Sequence, residues 1–223
     1  MRKTVSLVIY VLVAGTIWAQ TVERKVTLGD WGVLTDPAGD CDAKLSSGSL
    51  EITIPAGLHN MTHTDEGAKL NAPRILREVR GDFSFEITVN KFAKPKADTS
   101  SDGKHSFVST GIVVYDVDNQ FIRLERAAVG ENPDAFVWME RFKDGKRAKR
   151  EMKVTDGDTS LRFSRTGNVL KYEMRDSKNQ EWRAVVEEKA ELPAVLKVGV
   201  LAINTTTAEH HAKVVDQKLK MPK

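Results

Sequence analysis

The chain has 223 residues, 34 Lys and Arg against 31 Asp and Glu, a formal net charge of +3 and one cysteine. A balance this close to neutral gives no reason to expect a polyanion such as nucleic acid as partner. One cysteine excludes an internal disulfide, so the fold must rest on packing.

The chain opens with "MRKTVSLVIYVLVAGTIWAQ", in which Arg2 and Lys3 precede an apolar run from Val5 to Ala14, and Ala19 offers a cleavage point. This is the layout of an export signal. The apolar run is shorter than the ~20 residues that a membrane-spanning helix needs. Residues 1–19 are therefore read as a signal peptide and 20–223 as one domain, secreted or periplasmic and without membrane attachment. Losing Arg2 and Lys3 takes the formal charge from +3 to +1.

The next stretch, "DPAGDCD" (36–42), sets Asp36, Asp40 and Asp42 close together around Gly39. Hard oxygens at this spacing make a calcium candidate, although an Asp-Pro turn explains the same residues. Cys41 reads as a small buried residue rather than a reactive thiol. "HNMTH" (59–63) spaces His59 and His63 as zinc ligands would be spaced on a helix, but the segment reads as loop. His59, His63, His105, His210 and His211 are accordingly expected at the surface, with no other cofactor.

After the signal the period is two almost everywhere. "SLEITIP", "GDFSFEITVNKF", "SFVSTGIVVYD", "QFIRLERAA", "AFVWMERF", "SLRFSR", "VLKYEMR", "EWRAVVE", "LKVGVLAINT" and "HAKVVDQKLK" each alternate apolar with polar residues. "RTGNV" and "KDGKR" are short Gly-containing turns suited to antiparallel hairpins. Only "KAELPAVL" looks helical, and Pro193 interrupts it. The polar loop "AKPKADTSSDGKH" (93–105) is long for a sandwich connection, and is either disordered or the rim of a site. About eleven short strands in this order predict an all-β, two-sheet antiparallel jelly-roll sandwich.

Phasing the strands assigns Leu50, Ile52, Phe83, Phe85, Ile87, Ile112, Val114, Ile122, Leu124, Val137 and Met139 to the layer between the sheets, with Leu161, Phe163, Leu170, Tyr172, Val198 and Val200. The opposite phase of the middle strands carries Val113, Tyr115, Phe121, Arg123, Glu125, Phe136, Trp138 and Glu140. That set is too aromatic and too charged for an ordinary wet face. If strands 106–116, 120–127 and 135–142 are antiparallel neighbours, Arg123 and Glu125 lie beside Trp138 and Glu140. An indole stacks on the C–H face of a pyranose, while a carboxylate and a guanidinium grip hydroxyls in fixed directions. Arg123, Glu125 and Trp138 are thus candidates for the centre of a carbohydrate site, with Arg74, Glu140 and Tyr115 around it. A cross-strand ion pair that merely stabilises the sheet accounts for the same residues. Glu125 and Glu140 could also act as acid and base on a glycosidic bond, although neighbouring Arg123 and Arg74 would hold both ionised. A third possibility is a structural module whose charged face docks a protein. "KDGKRAKREMK" (143–153) reads as a solvated hairpin, able to meet an anionic glycan.

The stretches "GDWGVLTDPAGDCD" (29–42), "NAPRILREVRGDFSFEITV" (71–89), "TGIVVYDVDNQFIRLERAA" (110–128) and "SLRFSRTGNVLKYEMRDSKNQEW" (160–182) together resemble the bacterial family called domain of unknown function 1349. That family lies in the concanavalin A-like lectin/glucanase superfamily. The resemblance covers most of residues 29–205 and implies a jelly roll with a concave sheet, standing alone or beside carbohydrate-active enzymes. It implies no catalytic set: the glucanase strand pattern Glu-x-Asp-x-x-Glu has only Glu125 here, within "RLERAA". A lectin-like, non-catalytic module is the reading that results.

Overall fold

The computed structural model describes residues 24–64, 67–117, 120–132, 134–144, 146–176 and 181–222. Residues 1–19, read as a signal peptide, lie outside the described residues. Strands dominate. The first are β1 (Arg24–Thr27), β2 (Val33–Asp36), β3 (Asp42–Ser46), β4 (Ser49–Ile54), β5 (Met61–Thr64) and β6 (Gly67–Leu70). The middle of the chain forms β7 (Arg74–Arg80), β8 (Phe83–Val89), β9 (Phe107–Val117), β10 (Gln120–Val129), β11 (Phe136–Lys143) and β12 (Lys146–Lys153). Then come β13 (Thr159–Thr166), β14 (Val169–Arg175), β15 (Arg183–Lys189), β16 (Val195–Asn204) and β17 (His210–Lys220).

Eight strands form one sheet in the order β1-β2-β7-β16-β9-β10-β11-β12. Seven form the other, β15-β14-β13-β8-β17-β4-β3, and β5-β6 stand apart as a hairpin. All pairings are antiparallel, the arrangement of a jelly-roll sandwich. Each residue predicted to lie between the sheets does so, from Leu50 to Val200, in one continuous apolar cluster. The reason is the two-residue period: Ile122 and Leu124 share a face that cannot be wetted, so the strand turns that face inward. Burial at ~1.5–3 kcal/mol per large side chain supplies the drive that a disulfide-free fold needs.

Three expectations change. The strand count exceeds eleven because β1, β2, β3, β5 and β6 are pieces of four or five residues with little alternation. "KAELPAVL" is not helical: β15 ends at Lys189, an irregular link follows, and β16 begins at Val195. The "HNMTH" segment is a strand rather than a loop from Met61 onward.

That last difference matters most for the site. Met61 and Leu70 of the β5-β6 hairpin pack on Val113, Phe121, Phe142, Leu201 and Ile203, making a second apolar cluster on the outward face of the eight-stranded sheet. His63 stacks on Phe142 with ring centroids 3.9 Å apart. Half of the face expected to be open is therefore roofed, because its own apolar residues demand cover.

Candidate functional site

The antiparallel register carries a row of outward residues across the sheet. Arg74 of β7 lies opposite Leu201 of β16, Leu201 opposite Gly111 of β9, Gly111 opposite Glu125 of β10, and Glu125 opposite Trp138 of β11. One step along, Arg123 lies opposite Glu140, and Glu140 opposite Lys149 of β12. Arg123, Glu125, Trp138 and Glu140 are therefore adjacent on one face, as the strand phase predicts.

Their chemistry centres on one guanidinium. Arg123 Nη2 donates to Glu140 Oε2 at 2.7 Å, and Nη1 stands 3.3 Å from Glu125 Oε2. Glu140 Oε2 also accepts from Arg147 Nη2 at 2.7 Å and from the Trp138 indole N–H at 3.2 Å. Glu125 Oε1 accepts from the Ser109 hydroxyl at 2.8 Å. Arg123, Glu125 and Glu140 are all buried. Burial works against the charged form of both acids, but with different outcomes. At Glu125 it prevails over the attraction of Arg123 and the Ser109 hydrogen bond, and the carboxyl is pushed above its usual range. At Glu140 burial is overcome by Arg123 and Arg147, and the carboxyl is held below that range. Nearby arginines thus outweigh burial at Glu140, which two guanidiniums meet, but not at Glu125, which meets only one.

Above this layer opens a cleft of about 630 Å³. Trp138 and Phe136 line it with ring centroids 6.3 Å apart, edge to face, and Lys149 Nζ sits 5.7 Å from the Trp138 ring. Arg123, Arg147, Lys149 and Glu151 complete the sheet side. Asn60, Thr62 and Lys69 of the hairpin region form one wall; Asp102, Lys104 and His105 form another. Five lysines and arginines face two acids, so the cleft is basic although the chain is near neutral. At its floor, Arg123 Nε and, beneath, Glu140 Oε1 are buried with no hydrogen-bond partner within the chain, while Arg123 Nη1 and Glu125 Oε2 meet only each other. Buried polar atoms are normally satisfied, and unsatisfied ones clustered at a cleft mark a place for ligand or solvent.

The other sequence-derived candidates lie elsewhere. Arg74 is buried beside the hairpin, where Nη1 donates to the Leu70 and Ala72 carbonyls and the guanidinium stands 5.1 Å over the Tyr115 ring. Neither Arg74 nor Tyr115 lines the cleft; both support its roof. Glu125 lies beneath Arg123 and is not on the cleft wall. Among the aspartates, Asp36 is buried and accepts the Cys41 N–H at 2.9 Å, while Asp42 lies 3.7 Å from Arg24. Cys41 is buried as expected, its thiol pushed up by burial, Asp36 and Asp40. Two histidines expected at the surface are buried. His59 is held by a backbone pairing with Asn204, and His210 packs edge-on against Phe92 at 4.9 Å.

Sequence reasoning missed Arg147, Lys149 and Glu151 as cleft residues, though the signal was present. The hairpin register sets Arg147 opposite Phe142, Lys149 opposite Glu140 and Glu151 opposite Trp138, so these three share the phase of the site. The loop 93–105 rims the cleft through Asp102, Lys104 and His105. Asn60 and Lys69 carried no signal, because only tertiary packing brings the hairpin across.

No family model matches the chain, and no curated protein matches it. Solved structures do. A functionally unknown protein from Saccharomyces cerevisiae superposes with a TM-score of 0.66 at 14% identity, covering 82% of this chain and 92% of that one. A Bacteroides ovatus protein described as xyloglucan PUL GH43B gives 0.61 at 14% identity over 88% of this chain, which spans only 38% of that protein. An alginate lyase from Klebsiella pneumoniae gives 0.51 at 14% identity, covering 89% of this chain and 94% of that one. The likeness is one of fold. It is a β-sandwich fold that carbohydrate-active proteins use, and fold alone assigns no activity.

Proposed function

We propose that the chain is an exported carbohydrate-binding module of the domain of unknown function 1349 type, taking a saccharide with an anionic group into the cleft and leaving its glycosidic bonds intact. The observation that carries this reading is a half-buried tryptophan lying among Arg123, Arg147 and Lys149 in an open cleft. The indole offers a stacking plane for a sugar ring, the guanidinium groups of Arg147 and Arg123 offer partners for a carboxylate or sulfate, and Arg123 Nε has no acceptor within the chain. Likeness to glycan-active proteins such as the alginate lyase supports a sugar over other polar ligands.

A second reading makes Glu125 and Glu140 an acid and base for hydrolysis, and the opposite displacement of their ionisation favours it. Burial opposes it. Glu125 does not reach the cleft wall, and Glu140 Oε2 is already engaged by three donors.

Affinity electrophoresis in gels containing polygalacturonate, alginate or neutral xyloglucan separates these readings. Retardation by the acidic gels, lost in Trp138→Ala and weakened in Arg147→Glu, is the expected result. No retardation in any gel would remove the binding proposal. Reducing-sugar release that disappears in Glu125→Gln would establish the hydrolytic reading in its place.

A further inference from the structure

Away from the cleft, the turn joining β2 to β3 meets the segment that leads into the β5-β6 hairpin. His59 of that segment is buried, and its backbone N–H donates to the Asn204 carbonyl at 2.8 Å, with a return bond of 3.1 Å. Its ring position is thereby set by β16. Nε2 points at the carboxylate of Asp40, 3.0 Å from Oδ1 and 3.2 Å from Oδ2. The Cys41 Sγ lies 3.5 Å from the same Oδ1. Among the described residues this is the one group whose nitrogen, sulfur and oxygen donors all fall within 4.8 Å of one another.

A tetrahedral zinc ion with Zn–N and Zn–O near ~2.1 Å and Zn–S near ~2.3 Å sets neighbouring donors about 3.4–3.6 Å apart. The two measured separations match that spacing to within a few tenths of an ångström. A second observation points to the same place. Asp36 is fully buried; its Oδ2 accepts the Cys41 N–H, but its Oδ1 has no hydrogen-bond partner within the chain. The Asp36 carboxylate also acts on the Cys41 thiol, and a buried carboxylate oxygen left unpaired is costly unless a cation or solvent meets it.

We propose that Asp40, Cys41 and His59 bind a divalent transition ion of the zinc class, with a water held by Asp36 in the fourth position. On binding, the thiol gives its proton to solvent, and thiolate sulfur, imidazole nitrogen and carboxylate oxygen each donate a lone pair. The donor set excludes calcium as the preferred ion, since calcium takes six to eight oxygens and has little use for sulfur or nitrogen. The ion ties the β2-β3 turn to residue 59, two positions before the hairpin that roofs the cleft. It therefore acts as a staple on that roof, in a chain that has no disulfide to do so.

The test uses the purified protein after chelator treatment, titrated with cobalt(II) and then with zinc(II). Cobalt should bind in a 1:1 ratio with an ultraviolet thiolate-to-metal absorption band, which zinc then bleaches. Cys41→Ser should lose the band. Asp40→Asn, at a partly exposed position that tolerates change, should weaken cobalt binding at least about tenfold. Hydrogen exchange at residues 59–64 should slow when zinc is added. Absence of the band in folded wild-type protein overturns the proposal. So does a stabilisation by calcium that zinc does not reproduce and that Cys41→Ser leaves intact, which would mark an oxygen-only site.

Discussion

Arg123 is buried between two buried acids, and its removal tests whether this cluster is held together as the geometry says. Arg123→Met leaves Glu125 and Glu140 without their shared cation, and breaking such a buried group costs about 3–5 kcal/mol. The triple change Arg123→Met, Glu125→Gln and Glu140→Gln removes the uncompensated charge and should recover most of that loss in urea denaturation while still abolishing ligand binding. If Arg123→Met alone is neutral, the acids are not the buried ions described. His210 supplies a second residue-scale prediction. Burial, with His211 adding to it, lowers its pKa from 6.5 to about 4. The unfolded chain therefore takes up a proton that the native chain refuses between those values. Stability from this group is complete above about pH 6.5 and falls as the pH drops toward 4, by about 3 kcal/mol over the whole window. His210→Leu should flatten that part of the stability–pH curve, measured by denaturant midpoints at several pH values. A variant curve parallel to the wild type would refute the assignment.

Strand pairing decides what the residues can do together. Gly111 of β9 sits opposite Glu125, and a Cβ there would come 2.1 Å from the Leu124 carbonyl oxygen and 2.5 Å from the Glu125 Cα. No side chain can relieve a contact with backbone, so Gly111→Ala must push β10 away from β9. Overpacking of this kind costs ~1–3 kcal/mol. Because the displaced strand carries both Arg123 and Glu125, ligand affinity should fall along with the melting temperature; a destabilised protein that binds normally would mean that the strand position does not matter to the site. The hairpin acts at the same scale from above. Met61 is fully buried under it, and Met61→Ala should cost about 2–5 kcal/mol and speed hydrogen exchange in β5 and β6 before the sheets open.

For the molecule as a whole, the near-neutral total hides an uneven distribution. The formal charge of +3 suggests no anionic partner, yet five cations and two acids line one cleft. Local field, not net charge, governs what enters a cleft with low-dielectric walls. Binding of an acidic saccharide should therefore weaken steadily as salt shortens the screening length from ~30 Å at 0.01 M to ~8 Å at 0.15 M. Isothermal titration at a series of salt concentrations measures this, and an affinity independent of salt would remove the anionic part of the proposal.

What the sequence determined by itself was the sandwich and the inward layer, because a period of two leaves an alternating strand one way to hide its apolar side chains. Strand phase also put Arg123, Glu125, Trp138 and Glu140 on one face, and a hairpin register running on through Arg147 and Lys149 would have added those two. Only the tertiary structure decided which part of that face stays open. The β5-β6 hairpin covers Tyr115 and Arg74 and brings Lys69, and Asn60 just before it, to the cleft wall, through contacts between segments far apart in the chain that local periodicity does not encode. The same holds for the meeting of His59 with Asp40 and Cys41, which depends on the pairing of residue 59 with Asn204 at the distant end of β16.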